Sequence, residues 1–246
     1  MLTALVTGGA VRLGYSIALH LAGRGYNIAL HYNSSKESAE QTAKEVRKFG
    51  VQCKTYCFDF TDFNSPHLLI DRVLTDFQSV DLLINSAANF IQKNLEETSD
   101  SELIDTMNIN LMAPFILMRE FKNRVNNGLI INILDERILR RVSTFGAYSV
   151  SKAALAHLTE LSAVSWGETI RVNGIAPGLI LPPSGSSDEY LINNASNIPT
   201  KTHGNTSDIL RGFDYLLDSP FVNGEILFID GGESKKNSDL SLEPNS

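Results

Sequence analysis

"LTALVTGGAVRLG", residues 2–14, opens on a short apolar run and continues into a loop with glycines at 8, 9 and 14. An apolar strand that runs into such a loop, with a helical pattern behind it, is the unit in which free N–H groups at a helix N-terminus hold phosphate. Gly8 and Gly9 permit backbone geometry that a side chain would obstruct. Arg12 stands where loops of this kind often carry another glycine, and a guanidinium there offers planar donors to phosphate charge. The stretch predicts a strand, a pyrophosphate-holding turn and a helix entered near Gly14.

The same rhythm repeats outward from this unit. Apolar runs recur at 27–32, 51–58, 80–85, 128–134, 170–176 and 225–230, with amphipathic stretches at 15–24, 35–49, 65–78, 99–125, 145–167 and 206–217. Strands that read almost continuously apolar are those covered on both faces, as in a parallel sheet between helix layers. Strict alternation of seven such strands with helices predicts an α/β, doubly wound, Rossmann-like parallel sheet. Residues 1–232 read as a single domain, with no internal repeat and no linker. Residues 181–204, "LPPSGSSDEYLINNASNIPTKTHG", break the rhythm as a long polar insertion, expected to be a lid or substrate loop. Residues 233–246 form a polar tail, expected to be disordered.

Composition narrows the classes. A hydrophobic share of 43% and a charged share of 20% describe an ordinary globular chain with a sizeable core. A net charge of −7 argues against a broad nucleic-acid footprint, while leaving room for a local cationic site. Cys53 and Cys57 would lie about 13 Å apart on a strand, too far to bridge, and are expected as buried thiols. No histidine lies near them in sequence, so no metal site is expected. The first apolar run ends at Thr7 without a basic flank, and no run approaches the ~20 apolar residues of a membrane span. A cytoplasmic protein without membrane or nucleic-acid partners is the expectation.

Several motifs now join the glycine loop. "TGGAVRLG" resembles the TGxxxGxG loop of short-chain dehydrogenases/reductases, "YSVSK" (148–152) their YxxxK pair, and "NSAA" (85–88) their NNAG segment. "NIN" (108–110) is similar to their helix asparagine, "NGIAPG" (173–178) to their post-strand turn, and "IDGG" (229–232) to their closing motif. These occur in the family's order over residues 3–232. Within that family, Arg12 makes the loop similar to that of pteridine reductases.

The resemblance implies a set of roles. Tyr148 is the proton donor. Lys152 is the cation that lowers its pKa and holds the nicotinamide ribose, and Asn110 holds a water feeding the lysine. Four residues on a helix put Tyr148 and Lys152 on one face, which suits that pairing. The implied dinucleotide contacts are Thr7, Gly8, Arg12, Leu13, Gly14, His31, Asn33, Ser34, Ser35, Asp59, Phe60, Asn85, Ala87, Tyr148, Lys152, Pro177, Gly178 and Ile180. "HYNSSK" (31–36) carries no acid before Glu37 to hold a ribose 2′-hydroxyl. Arg12, His31, Asn33, Ser34 and Ser35 are expected around a 2′-phosphate instead, so the implied cofactor is NADPH.

Counting thirteen residues back from Tyr148, where most short-chain reductases have a serine, gives Asp135 in "NILDER". A carboxyl group can relay a proton to a ring nitrogen, whereas a hydroxyl suffices to polarise a carbonyl. Pteridine reductases also have an aspartate here, and Phe90 matches the aromatic that stacks on their pterin. Ala88 departs from them, replacing a serine. The expected substrate contacts are Phe90, Arg12, Asp135 and Tyr148, with Tyr148 and Asp135 both donating protons to a C=N substrate. The expected activity is NADPH-dependent reduction of a dihydropterin or dihydrofolate. A 3-oxoacyl thioester or other carbonyl reductase is the alternative within the family, and a non-catalytic dinucleotide-binding regulator the alternative outside it. Stretches 99–125 and 145–167 match the helices through which the family forms homotetramers.

Overall fold

Seven strands form one sheet: β1 (Thr3–Val6), β2 (Asn27–Tyr32), β3 (Cys53–Cys57), β4 (Leu82–Asn85), β5 (Gly128–Ile133), β6 (Ile170–Pro177) and β7 (Ile226–Ile229). All pairs are parallel, in the order β3-β2-β1-β4-β5-β6-β7. The helices between them are α1 (Arg12–Gly23), α2 (Lys36–Arg47), α3 (Ser65–Asp76), α4 (Asp100–Met107), α5 (Ala113–Arg124), α6 (Gly146–Trp166), α7 (Glu189–Ala195) and α8 (Thr206–Asp218). This is the doubly wound sheet that the alternation predicts, because a parallel return needs a crossover. The computed structural model describes residues 1–140, 143–183 and 185–236.

Both faces of the sheet are covered, so alternate strand residues enter different cores. Ala4, Val6, Leu82, Ile84 and Ile131 pack with Ile17, Leu21 and Phe213 from α1 and α8. Leu5, Leu83 and Ile130 pack with Leu69, Val73, Leu117 and Phe121 from α3 and α5. The strand order reverses between β1 and β4. At such a switch point the connections leave in opposite directions and open a crevice beyond the carboxyl ends of the strands. The glycine loop after β1 and the segment after β4 form its two sides.

Four expectations are corrected. The helix expected over 99–125 is two helices joined by a π-turn at Asn108–Met112. The widened turn carries Asn110 inward, where its side chain accepts from Asn89 N–H at 2.7 Å and donates to Asn89 O at 2.9 Å. The insertion 181–204 is not all loop, because α7 forms within it and Leu191 and Ile198 are buried. The tail does not fray from 233: Glu233–Lys235 make a 3-10 turn. It is pinned where the Asp230 carboxylate accepts from Gly232 N–H at 2.9 Å and Ser234 N–H at 2.7 Å. Residues 237–246 of the expected disordered tail lie outside the described residues. Finally, Cys53 is buried but Cys57 is exposed, because β3 is the sheet's edge and its end is left uncovered.

Candidate active site

The glycine loop is fixed by neutral hydrogen bonds. Thr7 Oγ1 accepts from Ser86 N–H at 2.9 Å and Ala87 N–H at 3.0 Å, tying the end of β1 to the end of β4. Gly8 has φ +63, and a Cβ there would press on the Ala87 backbone at 2.9 Å. A Cβ on Gly14 would overlap the Gly8 carbonyl oxygen, so close packing of α1 against the loop requires glycine at 14. Leu13 is half-buried against the α1 side of the core. The first turn of α1 has no side-chain cap and no acid, which leaves its N–H groups to an anion in the crevice.

Arg12 keeps the backbone of the glycine it replaces. Its φ is +55, a left-handed conformation that costs a non-glycine residue roughly 1 kcal/mol or more. Strain of this kind persists where surrounding structure or function holds it. Its Nη2 reaches across the crevice to donate to Pro182 O at 2.7 Å, so the loop and the start of the 181–204 insertion are linked by one side chain.

His31 is a correction. It was expected beside a 2′-phosphate, but it is 2% exposed. Nδ1 accepts from Gly8 N–H at 3.2 Å, Nε2 lies 3.0 Å from Phe58 O, and the ring stacks on Phe60 with centroids 4.1 Å apart. These partners require a neutral ring with its proton on Nε2. Burial lowers the imidazole pKa to about 4, so it supplies no cation to a ligand. Phe60, expected at the cofactor, is likewise buried against His31. Asn33 and Ser34 are exposed and Ser35 half-buried in the turn between β2 and α2, and Asp59 is exposed after β3.

Four further positions expected at the cofactor lie at or just beyond the ends of β4 and β6. Asn85, at the end of β4, donates to Asn132 Oδ1 at 2.8 Å, and its own buried Oδ1 has no partner among the described residues. The turn Pro177–Gly178 follows β6, and a Cβ on Gly178 would strike the Asp230 backbone at 2.6 Å. Ile180 is buried just beyond it.

At the other end of the crevice, Tyr148 Oη donates to Asp135 Oδ2 at 2.9 Å. β5 delivers Asp135 and α6 delivers Tyr148 and Lys152. Lys152 Nζ donates to Ile133 O at 2.7 Å, and burial lowers its pKa to about 8. Its Nζ is 5.9 Å from the Tyr148 ring centroid. Burial, followed by the charge and hydrogen bond of Asp135, holds the Tyr148 hydroxyl well above its usual range. The Arg137 guanidinium opposes this rise. Asn110 donates to Ser151 Oγ at 3.1 Å as well as to Asn89, so its side chain holds the segment after β4 against α6. Phe90 is 46% exposed and meets the Tyr148 ring edge-on at 4.8 Å, an available aromatic face rather than a core residue.

Asp135 was expected to donate a proton, yet only donors surround it. Arg137 N–H lies 2.9 Å from Oδ1, and Arg137 Nη1 lies 3.0 and 3.1 Å from Oδ1 and Oδ2. The geometry therefore makes Asp135 an acceptor. Arg137 and Phe145, which packs on Phe90 at 5.1 Å, went unnoticed in the sequence. The signal available was an arginine two residues past the aspartate. A 3-10 turn at Glu136–Leu139 folds that side chain back onto the carboxylate.

This fold and crevice have relatives. The short chain dehydrogenase family model matches residues 2–202, and the chain belongs to that family. It is 30% identical to 3-oxoacyl-(acyl-carrier-protein) reductase FabG of Staphylococcus aureus, over 94% of this chain and 97% of that one. Among solved structures it is similar to FolM alternative dihydrofolate reductase 1 of Brucella canis complexed with NADP. That likeness has a TM-score of 0.91 and 26% identity, over 98% of this chain and 97% of that one. It is also similar to an NAD+-bound xylitol dehydrogenase, with a TM-score of 0.84 and 27% identity over 94% and 98% of the two chains. No helix among the described residues is long and apolar enough to cross a membrane.

Proposed function

We propose that the protein is an NADPH-dependent reductase of a C=N bond in a pteridine, of the dihydropterin or dihydrofolate class. The observation that carries this is the carboxylate of Asp135 hydrogen-bonded to Tyr148, where carbonyl reductases carry a serine donor. An acceptor beside a carbonyl oxygen faces another acceptor. Beside a pteridine edge it faces N–H donors, which it can bind.

The residues present fit a dinucleotide. The uncapped first turn of α1 and Gly8 would take the pyrophosphate. Lys152 and Tyr148 would hold the nicotinamide ribose, and Pro177, Gly178 and Ile180 the ring. Arg12, Asn33, Ser34 and Ser35 would meet the 2′-phosphate. Bound there, NADPH supplies the hydride for the C=N carbon. Tyr148 Oη gives the proton to the nitrogen, and the Oδ2 position it leaves on Asp135 is then open to a substrate N–H. Phe90 offers the exposed face on which a flat heteroaromatic ring stacks. The similarity to a Brucella reductase named for dihydrofolate supports the same class.

A carbonyl reductase of 3-oxoacyl thioesters is the second reading, favoured by the Staphylococcus relative. A non-catalytic regulator needs only the loop and would have no use for the Tyr148–Asp135 pair. Steady-state NADPH oxidation with dihydrobiopterin, dihydrofolate and an acetoacetyl thioester separates the three. Turnover of the thioester alone overturns the pteridine assignment, and turnover of none favours the regulator. A homotetramer is part of the proposal, since α4–α6 expose Leu103, Ile104, Phe115, Val150, Leu161 and Val164. A monomer by light scattering at micromolar concentration would refute that part.

A further inference from the structure

Three donor groups converge on the Asp135 carboxylate. A carboxylate offers about four lone-pair sites. Arg137 N–H lies 2.9 Å from Oδ1, a single Arg137 nitrogen, Nη1, sits between the two oxygens at 3.0 and 3.1 Å, and Tyr148 Oη donates to Oδ2 at 2.9 Å. The arginine lies beside two aromatic rings: its Cζ is 4.6 Å from the Phe145 ring centroid and 5.9 Å from that of Phe90. A partly desolvated guanidinium near aromatic faces is attracted to them.

We propose that Arg137 is a positioning residue for the proton transfer, clasping Asp135 as an acceptor and balancing its charge so that Tyr148 remains the group that releases a proton. The proposal rests on Tyr148 being the proton donor of the reductase reading. It explains how an acid can stand beside a phenol that must carry negative charge after transfer. Uncompensated, Asp135 would oppose that state. The charged groups around the hydroxyl are Asp135, Glu136 and Arg137 from the turn after β5, and Lys152 from α6. Arg137 is tied directly to Asp135, whereas Lys152 is engaged with Ile133 O.

The test compares Arg137→Met and Arg137→Lys with the parent protein, using dihydrofolate and acetoacetyl thioester as substrates and Tyr148→Phe as the reference. Arg137→Met is expected to lower kcat by about 10- to 100-fold, the worth of one charge-assisted hydrogen bond. KM for NADPH should be unchanged. The alkaline limb of the kcat profile should move to higher pH, because the phenol loses a neighbouring cation. Arg137→Lys should return both the limb and kcat towards their original values, since a single side-chain nitrogen makes the contact and an ammonium restores its charge and its donor. Tyrosinate absorbance at high pH, taken as the difference between Arg137→Met proteins with and without Tyr148, should show the same upward shift with no substrate present. An unmoved phenolate titration in Arg137→Met overturns the proposal whatever happens to kcat. If Tyr148→Phe is inactive at the same time, the reductase reading stands and this inference alone falls. Full activity in Tyr148→Phe overturns both.

Discussion

At the glycine loop, elements are joined by neutral groups: Thr7 to Ser86 and Ala87, Gly8 to His31, and His31 to Phe58. Around Asp135 the contacts are charged: Arg137 to Asp135 and Arg140 to Glu136 within the turn after β5, and Arg140 from that turn to Glu233. Neutral links of this kind set distances, and they hold the loop close enough to β4 that Gly8 has no room for a side chain. Charged links also set proton affinities, so each replacement there alters neighbouring groups. Glu136 illustrates this. Burial, reinforced by Glu233, pushes its pKa up to about 7 although Arg140 is 3.0 Å away.

The largest expected effect lies at the charged end. Tyr148→Phe should lower reduction of any substrate by about 10⁴-fold, the upper worth of a general acid. Single-turnover rates at saturating NADPH would measure it, and retention of more than a tenth of the rate would refute proton donation by Tyr148. Next comes Asp135→Ser, expected to lower turnover of a C=N substrate by about 10- to 100-fold, the worth of the charge-assisted hydrogen bond that Asp135 would accept from the substrate. The same change restores the donor of carbonyl reductases, so thioester reduction should survive or improve. Equal loss on both substrates would show that Asp135 serves only to shape the turn.

The neutral end should respond through stability. Folded His31 stays uncharged to about pH 4, whereas the unfolded chain takes up a proton near the ordinary value of 6.5. The unfolded state thus binds more protons between these values, and stability should fall as pH drops from 6.5 to 4 and level off below. The contribution is on the order of 3 kcal/mol. Urea unfolding at pH 7 and pH 4.5 measures it, and His31→Gln should flatten the difference between the two. A wild-type pH dependence retained in full by His31→Gln would assign it elsewhere.

The smallest effect separates backbone from charge at one residue. Arg12→Gly should raise stability by about 1 kcal/mol, by relieving the left-handed backbone. It should also lower kcat/KM for NADPH by about tenfold while changing that for NADH little. Equal or better efficiency of the wild-type protein with NADH would remove the basis for the NADPH proposal.

Much of the fold was legible because it is written in short periods. Seven apolar runs and the patterns between them placed every strand within two residues at each end. Tyr148 and Lys152 were legible as a pair through their resemblance to the family's YxxxK motif, and helical spacing puts them on one face. The break at Asn108–Met112 was not, since its cause is the hydrogen bonding of Asn110 to Asn89, in a segment 21 residues earlier. His31 was misplaced for a related reason. Its position at the end of β2 suggested the ligand, but Phe60 from beyond β3 covers it.

By itself the sequence determined the parallel α/β sheet, the glycine loop and the identity of the groups available at residues 135, 148 and 152, because periodicity and spacing act over a few residues. The tertiary structure decided which of those groups touch and in what state. Asp135 became an acceptor when the turn after β5 folded Arg137 onto it, and His31 became neutral when burial removed its water. Desolvation and charge pairing depend on what packs around a group, and no local pattern carries that information.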